Sequence, residues 1–454
     1  MTLHLADAPD LNLFTGLPLY VQIFYWVVLT ITLSSGLSVV VLIVNARRYG
    51  MAHDDTHSSN DVESDFLWIF MVPALNEEVT IADSVTRLRR TRVRHRMILV
   101  INDGSDDRTG EVLDSLAGPD LTVLTRVAPH ARRGKAAALN NAFSYVRDVL
   151  LPSSEYARWG ADRVILGIVD ADGRLSPNAC QKLGPSFENP NVGGAQCLVR
   201  IYNRGHLLTW AQDIEFRSFG YVFQAGRAHW GTANMGGNGQ FNRFSALAEV
   251  SDGDGPWRDR LTEDQDLGVR LVQQGWQGVQ VNEATIEQQG LRSIRRLYRQ
   301  RTRWAQGAWQ ALGLVPSVGR SRVTVLARVD CLFYLLTPAL QLTTGIGFVS
   351  AVLLATMSDV ALLPGNLLVA LIFVSVGFGP GIATLLMSGR GPKNILYAAI
   401  AVLPYTVYSW LIFPVLVQSV IRQLSGRTAW AKTAREAIEA PHAEHASVAT
   451  SEFS

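Results

Sequence analysis

The chain reads as a mostly parallel α/β domain inserted between membrane helices, and two patterns predict this. Uncharged apolar stretches run from Leu19 to Ala46, Cys331 to Met357, Asn366 to Gly389 and Ile395 to Ile421. Each is long enough to cross the ~30 Å of hydrocarbon in a bilayer. Between the first and second of them, short β-rich runs alternate with helical stretches, as in strands joined by crossover helices. At 454 residues the chain has room for one soluble domain of ordinary size and several spans.

The first apolar stretch is preceded by Asp7 and Asp10 without a Lys or Arg and is followed at once by Arg47 and Arg48. It lacks the basic start and small-residue cleavage site of a signal peptide and is too long for one, so a retained anchor is expected. The charge asymmetry predicts an outside N-terminus and a cytoplasmic middle domain in a multi-pass protein of the plasma membrane. Segment 1–48 is read as the N-terminal anchor. Residues 49–65, with the His, Asp and Ser of Met51 to Asp65, are read as a linker. The catalytic domain is expected over 66–290, interfacial helices over 291–330, the C-terminal membrane region over 331–421, and a basic, then disordered tail over 422–454.

Within the membrane region Asp330, Pro338 and Gln341 border or interrupt the second stretch, so its beginning is expected to lie along the interface. One span before the domain and three after it would place Arg422, Arg427, Lys432 and Arg435 outside, against the positive-inside tendency. Pro404 and Pro414 break the last stretch, and a re-entrant first half there would restore a cytoplasmic tail. The net charge of +2 gives no nucleic-acid footprint, and neither zinc-finger spacing nor a basic-aromatic repeat supplies one. Cys180, Cys197 and Cys331 are an odd, widely spaced set, expected to be reduced thiols.

Strands are expected at Phe66 to Val72, Met97 to Ile101, Leu121 to Leu124 and Val164 to Val169, with a helix at Ile81 to Arg92. Ligands of such sheets bind beyond the carboxyl ends of the strands, where Asn76, Asp103 and Asp170 fall. Asp106 and Asp107 before Thr109 serve equally well as helix caps; Asp103 is assigned to ligand contact. Asp170 and Asp172 are two apart on an extended segment, so both carboxylates can face one divalent cation. Hard oxygen ligands suit Mg²⁺ or Mn²⁺, which would neutralise a leaving diphosphate.

Asp264, in Thr262-Glu263-Asp264-Gln265-Asp266, is placed to act as a general base on an acceptor hydroxyl. The same acids would also suit a helix start, favoured by the dipole. From Leu291 to Trp304 the run of arginines needs anions: lipid head groups for Arg292, Arg295 and Arg296, and a diphosphate for Arg303, beside Gln300 and the Trp304 indole. Arg132, Arg133, Gly134 and Lys135 form either a basic turn entering a helix whose first amides would also attract phosphate, or a solvated charge run. In the 235–240 segment, Gly236, Gly237 and Gly239 permit close backbone approach to a ligand or build a tight turn.

Taken in order, VPALNEE at Val72, INDGSDDRT at Ile101, RRGKAAALN at Arg132, DAD at Asp170, TED at Thr262, QRTRW at Gln300 and WAKTAR at Trp430 resemble the inverting family 2 glycosyltransferases. The resemblance is to their membrane-embedded branch of cellulose, chitin-oligosaccharide and hyaluronan synthases, over roughly Phe66 to Arg435. It implies a GT-A domain in which Asn76, Glu78, Asp103, Lys135, Asp170, Asp172, Gln300 and Arg303 bind the donor, with Asp170 and Asp172 also on the metal. Asp264 matches the base. Trp304, Gly237, Asn238 and Glu263 fall on the acceptor side, with Trp304 stacking on the acceptor sugar. The implied reaction carries a sugar, glucose or N-acetylglucosamine, from a UDP-sugar to a β-linked polysaccharide, with single transfer to a membrane lipid such as diacylglycerol as the alternative. A third reading, a nucleotide-sugar sensor coupled to a channel, leaves Asp264 and Trp304 without a task.

Overall fold

The computed structural model of the protein describes residues 14, 17–54, 62–357, 382–386 and 392–426. Strands β1 (Leu67–Ala74), β2 (Arg96–Asn102), β3 (Leu121–Thr125) and β4 (Val164–Ile168) pair in parallel in the order β3-β2-β1-β4. β1 shows why this sheet is covered on both faces. Trp68, Phe70 and Val72 pack into one core with Ile81, Val85 and Leu88 of α2 (Ile81–Arg89) and Leu183 and Phe187 of α5 (Ala179–Glu188). The alternate residues Leu67, Ile69 and Met71 pack into the other, against Leu139 and Phe143 of α4 (Lys135–Tyr145). Side chains that alternate across a strand thus serve two helical layers, so the strand is apolar throughout. Each large side chain buried this way contributes about 1.5–3 kcal/mol.

Beyond β4 the sheet departs from a purely parallel one. β7 (Gln240–Arg243) pairs antiparallel to β4, followed by β6 (Val192–Ile201), β8 (Gln277–Gln288) and β5 (Arg174–Leu175). β6 and β8 are parallel to each other, while β5 runs antiparallel to β8. The helices between these strands are α3 (Thr109–Ser115), α6 (Leu207–Ser218), α7 (Ala225–Ala228), α8 (Phe244–Val250) and α9 (Glu263–Gln274). The amphipathic α10 (Ile294–Ala311) and the short α11 (Val315–Val318) follow.

Among the described residues, three helical runs, Leu19–Ala52, Val325–Leu354 and Pro392–Leu424, are long and apolar enough to cross a membrane. The first belongs to α1 (Leu19–Asp54), so helix occupies the start of the segment expected to be a linker. α1 lies on the domain at α7, where a Cβ at Gly226 would stand 2.9 Å from Leu42 Cα; glycine is what admits the close approach. The second belongs to α12 (Val325–Met357), a helix that continues through Pro338. Asp330 is buried against the domain, its carboxylate 2.7 Å from Arg227 Nε. The third run comprises α13 (Pro392–Ser409) and α14 (Ile412–Leu424). The break falls between them; Pro404 lies inside α13 and Pro414 in the first turn of α14, where proline's missing N–H is tolerated. Most of the expected span Asn366 to Gly389, and the basic residues Arg427, Lys432 and Arg435, lie outside the described residues. Cys180, Cys197 and Cys331 are free.

Candidate active site

A cavity of about 940 Å³ runs from the carboxyl ends of β1, β2 and β4 to the faces of α1, α12 and α14. At its sheet end stand Asp103, Lys135, Asp170 and Asp172. Lys135 opens α4 behind Gly134, whose φ of 98° suits glycine. Its Nζ donates to Asp170 Oδ1 at 2.6 Å and to the Gly237 carbonyl at 3.1 Å, and lies 3.9 Å from Glu263 Oε1. Burial works to lower the Lys135 pKa, but the Asp170, Glu263 and Asp264 carboxylates outweigh it and hold the ammonium above its usual value.

The two aspartates after β4 are braced from behind. Asp170 N donates to Asn238 Oδ1 at 3.0 Å, and Asp172 Oδ2 accepts from Gln289 N at 3.2 Å. Asn238 spends its amide nitrogen on Gln288 Oε1, and Gln196 fixes the glycine loop through the Asn238 carbonyl and Gly236 N. Asn238, read on the acceptor side, therefore touches the DAD segment directly. Two carboxylates with this support present hard oxygens to the cavity and suit a cation that takes its remaining ligands from phosphate and water.

Glu263 and Asp264 occupy the first turn of α9. Thr262 is the N-cap residue, but its hydroxyl makes no capping bond and faces Gln265 Oε1 at 3.3 Å. The carboxylates thus sit at the positive end of the helix dipole without forming its cap. Asp264 Oδ1 accepts from Gln265 N at 2.9 Å, and its Oδ2 faces Gly237, where a Cβ would stand 3.1 Å from it and 3.3 Å from Lys135 Nζ. Burial raises the pKa of Asp264, and pushes Glu263 up to about 7, with Lys135 opposing and the Asp264 charge adding to it. A carboxylate with raised proton affinity is suited to accept a proton.

α10 carries the QRTRW segment across this end of α9. Gly307 packs on Thr262, Arg303 reaches the Leu261 carbonyl at 3.5 Å, and Gln310 Oε1 accepts from Leu261 N at 3.1 Å. These residues lie on one face of the helix, and Gln300, Arg303 and Trp304 line the cavity.

Not every expected residue comes to the cavity. Asn76 and Glu78 are exposed: Asn76 exchanges hydrogen bonds with Asp106, and Glu78 accepts from Arg108 N at 3.0 Å. The neighbour between them, Glu77, is buried and lines the cavity. Asp103 is nearly buried and holds Arg126 and the Arg132 amide; burial raises its pKa against those partners. It thus shapes the basic turn as well as lining the cavity. The sequence reading missed Glu77, Gln196, Gln288, Glu215 and Arg301. Glu77 had a signal, since position 77 lies between two polar residues just past a strand; the glutamines, on polar strands, had none.

The family described as glycosyltransferase-like family 2 matches residues 68–307. Among curated proteins, beta-monoglucosyldiacylglycerol synthase of Synechocystis is 32% identical over 53% of this chain and 47% of its own length. Poly-beta-1,6-N-acetyl-D-glucosamine synthase of Staphylococcus aureus is 26% identical over 54% of this chain and 55% of its own. The chain spans about half the length of the curated relatives it matches. Among solved structures, the mannosyltransferase PcManGT of Pyrobaculum calidifontis, in complex with GDP-Man and Mn²⁺, superposes with a TM-score of 0.57 at 16% identity, covering 89% of this chain and 99% of that one. That likeness extends the shared GT-A-like fold to the helices on either side of the domain. With over half its residues matched and the DAD, TED and QRTRW segments gathered around one cavity, the chain belongs to the glycosyltransferase-like family 2.

Proposed function

We propose that the protein transfers a single sugar from a UDP-sugar to the hydroxyl of a membrane lipid such as diacylglycerol, with inversion to a β-linkage. The observation that carries this is the continuity of the cavity. Its far end is walled by Leu42 of α1, Phe333 and Leu340 of α12, and Phe413 and Leu416 of α14. From Phe333 to Thr344 it follows α12, about 16 Å at 1.5 Å per residue, or half the hydrocarbon thickness. Past that point α1 and α12 pack together: a Cβ at Gly347 would stand 2.8 Å from Val28 Cγ1, and Tyr25 Oη lies 3.0 Å from Ser350 Oγ. A cavity with a polar chemical end and an apolar end of this depth suits an acceptor that carries its own apolar part.

In this reading Asp264 takes the acceptor hydroxyl's proton as the hydroxyl oxygen attacks the sugar carbon and the diphosphate leaves from the opposite face. Lys135 and Arg303 would hold the diphosphate, and Trp304 would orient the acceptor. Asp170 and Asp172 would hold Mg²⁺ or Mn²⁺, which supplies positive charge to the leaving group when bound. The domain would face the cytoplasm beneath a multi-pass membrane part, as the charges around α1 suggest. The polysaccharide acceptor, first from the sequence, keeps one observation in its favour: Ser35, Thr337, Gln341 and Thr344 line the same walls, and hydroxyl and amide groups suit a sugar chain.

The test incubates purified protein in vesicles containing diacylglycerol with Mn²⁺ or Mg²⁺ and UDP-glucose, UDP-N-acetylglucosamine or GDP-mannose. Nucleotide release is measured, and products are split into lipid-extractable and water-soluble fractions. A lipid carrying one sugar supports the proposal; water-soluble polymer replaces it with the second reading. Release from GDP-mannose alone overturns the UDP-sugar assignment, and full activity after chelation with EDTA removes the metal.

A further inference from the structure

Arg301 lies inside the QRTRW segment, yet the chemistry above gives it no task. It is buried, and its guanidinium meets three groups at once. Nη2 donates to Glu215 Oε2 at 2.6 Å, Nη1 donates to Gln300 Oε1 at 2.8 Å, and Cζ stands 4.1 Å from the centre of the Trp304 ring. Glu215 Oε2 also accepts from the Tyr408 hydroxyl at 2.5 Å. Phe216 meets Trp304 edge-on, with ring centres 6.1 Å apart. Glu215, Phe216, Arg301 and Trp304 all line the cavity.

Three elements therefore converge on one indole. α10 supplies the ring and the cation on its face, α6 supplies the counter-charge and the edge contact, and α13 supplies the hydroxyl that shares the carboxylate. A guanidinium is planar and can stack on a ring while its fork stays hydrogen-bonded in plane; a lysine would satisfy Glu215 but not all three contacts. With one face of Trp304 covered by Arg301, the opposite face is the one left for an acceptor. Gln300, one residue before Arg301 on α10, and Trp304, three residues after it, are tied to the same guanidinium.

We propose that Arg301 is the positioning residue for Trp304, and that Glu215 and Tyr408 tie this acceptor platform to the C-terminal membrane helices. The inference deepens the acceptor assignment above and rests on it. Glu215 and Tyr408 thereby join the position of the indole to α13, whose Tyr405 also lines the cavity and which leads into α14 at the apolar end.

The test uses the full-length protein in vesicles at saturating UDP-glucose, with the mole fraction of diacylglycerol varied. Arg301→Lys is expected to raise the apparent KM for diacylglycerol about tenfold or more with kcat changed by under threefold. Tyr408→Phe, which removes one hydrogen bond and is the variant safest for folding, is expected to raise it severalfold. The deciding measurement is a cycle with Trp304→Ala: if Arg301 acts through the indole, Arg301→Lys adds nothing once Trp304 is gone. Additive effects, an unchanged KM in both Arg301→Lys and Tyr408→Phe, or a loss confined to kcat would overturn the inference. If the wild type yields polymer in place of glycolipid, the lipid assignment fails, while the same cycle scored on polymer yield still decides the role of Arg301.

Discussion

Replacing Gly307 by alanine tests whether the catalytic geometry depends on how closely α10 sits on α9. A Cβ at position 307 would stand 2.5 Å from Thr262 Cγ2 and 2.9 Å from Thr262 Cβ, whereas carbon atoms in contact prefer about 3.5–4.0 Å. Relieving the overlap requires the helices to separate by about 1 Å. Gln300, Arg303 and Trp304 ride on one side of that junction, and Glu263 and Asp264 on the other. A misplacement of about 1 Å can lower a rate about a hundredfold, or about 2.7 kcal/mol in barrier at 1.36 kcal/mol per tenfold. Overpacking also costs about 1–3 kcal/mol of stability, so the thermal midpoint should fall modestly. The assay is kcat/KM for UDP release with acceptor present, alongside a melting curve. Thr262→Ala removes Oγ1 and Cγ2 and leaves the smaller Cβ overlap, so the double variant should regain most of the lost activity. Wild-type kcat/KM in Gly307→Ala, or no recovery in the double variant, would refute the reasoning.

Asp264→Asn should lower kcat by a thousandfold or more while UDP affinity, read by calorimetry, stays within a few-fold. Because burial raises the Asp264 pKa, the acidic limb of kcat/KM should lie above the ordinary carboxylate range; Glu263→Gln removes a neighbouring negative charge and should move that limb to lower pH. Glu263 itself has a folded value of about 7 against 4.5. Its protonated form favours folding, so the stability it contributes is present below pH 4.5 and lost as pH rises through about 7; denaturant melts of Glu263→Gln should show a shallower decline over that window. Gly237→Ala places a Cβ 3.1 Å from Asp264 Oδ2 and 3.3 Å from Lys135 Nζ, and should cost about tenfold in kcat/KM with an unchanged melting point, the clash being with side-chain ends. Asp330→Asn leaves Arg227 charged and buried, a loss on the order of 3–5 kcal/mol, visible as a lowered thermal midpoint in detergent.

The parts of the fold legible in the sequence are those where local pattern and burial agree. β1, β2 and β4 are apolar on both faces because helices cover both, so their runs stand out. β7 and β8 read QFNR and QGVQVNEATIEQ; Gln280 and Gln288 of β8 line the cavity, and in both strands tertiary pairing overrides a weak strand signal. The helix break fell between α13 and α14, because Pro404 can stay within a helix whose neighbours support it. In the site, Asp170, Asp172, Asp264, Gln300 and Arg303 were visible as chemistry-bearing residues at telling positions, and the structure gathers them on one cavity. Glu77 was hidden by its own neighbours, since one residue decides which way a side chain faces after a strand. Glu215 was hidden because α6 lies far from α10 in sequence, and a long-range ion pair leaves no local trace.

The charge balance of the cavity links the two ends of the reaction. Asp170, Asp172, Glu263 and Asp264 face it together with Lys135 and Arg303, so the chemical end carries an excess of carboxylate. Lys135 currently serves both sides of that excess, bonded to Asp170 and close to Glu263. A donor diphosphate that draws on Lys135 weakens its hold on the TED carboxylates, and with it the partner that lowers the proton affinity of Asp264. Donor binding would thereby make the base a better proton acceptor when the leaving group is in place. At the other end the indole is set by Arg301, Glu215 and Tyr408 rather than by the donor groups. In the proposed reading the acceptor would be oriented from the membrane side, while the proton affinity of the base would be set from the nucleotide side. The junction of these two controls is the contact of Gly307 with Thr262, which is why one methyl group there should be felt in the rate.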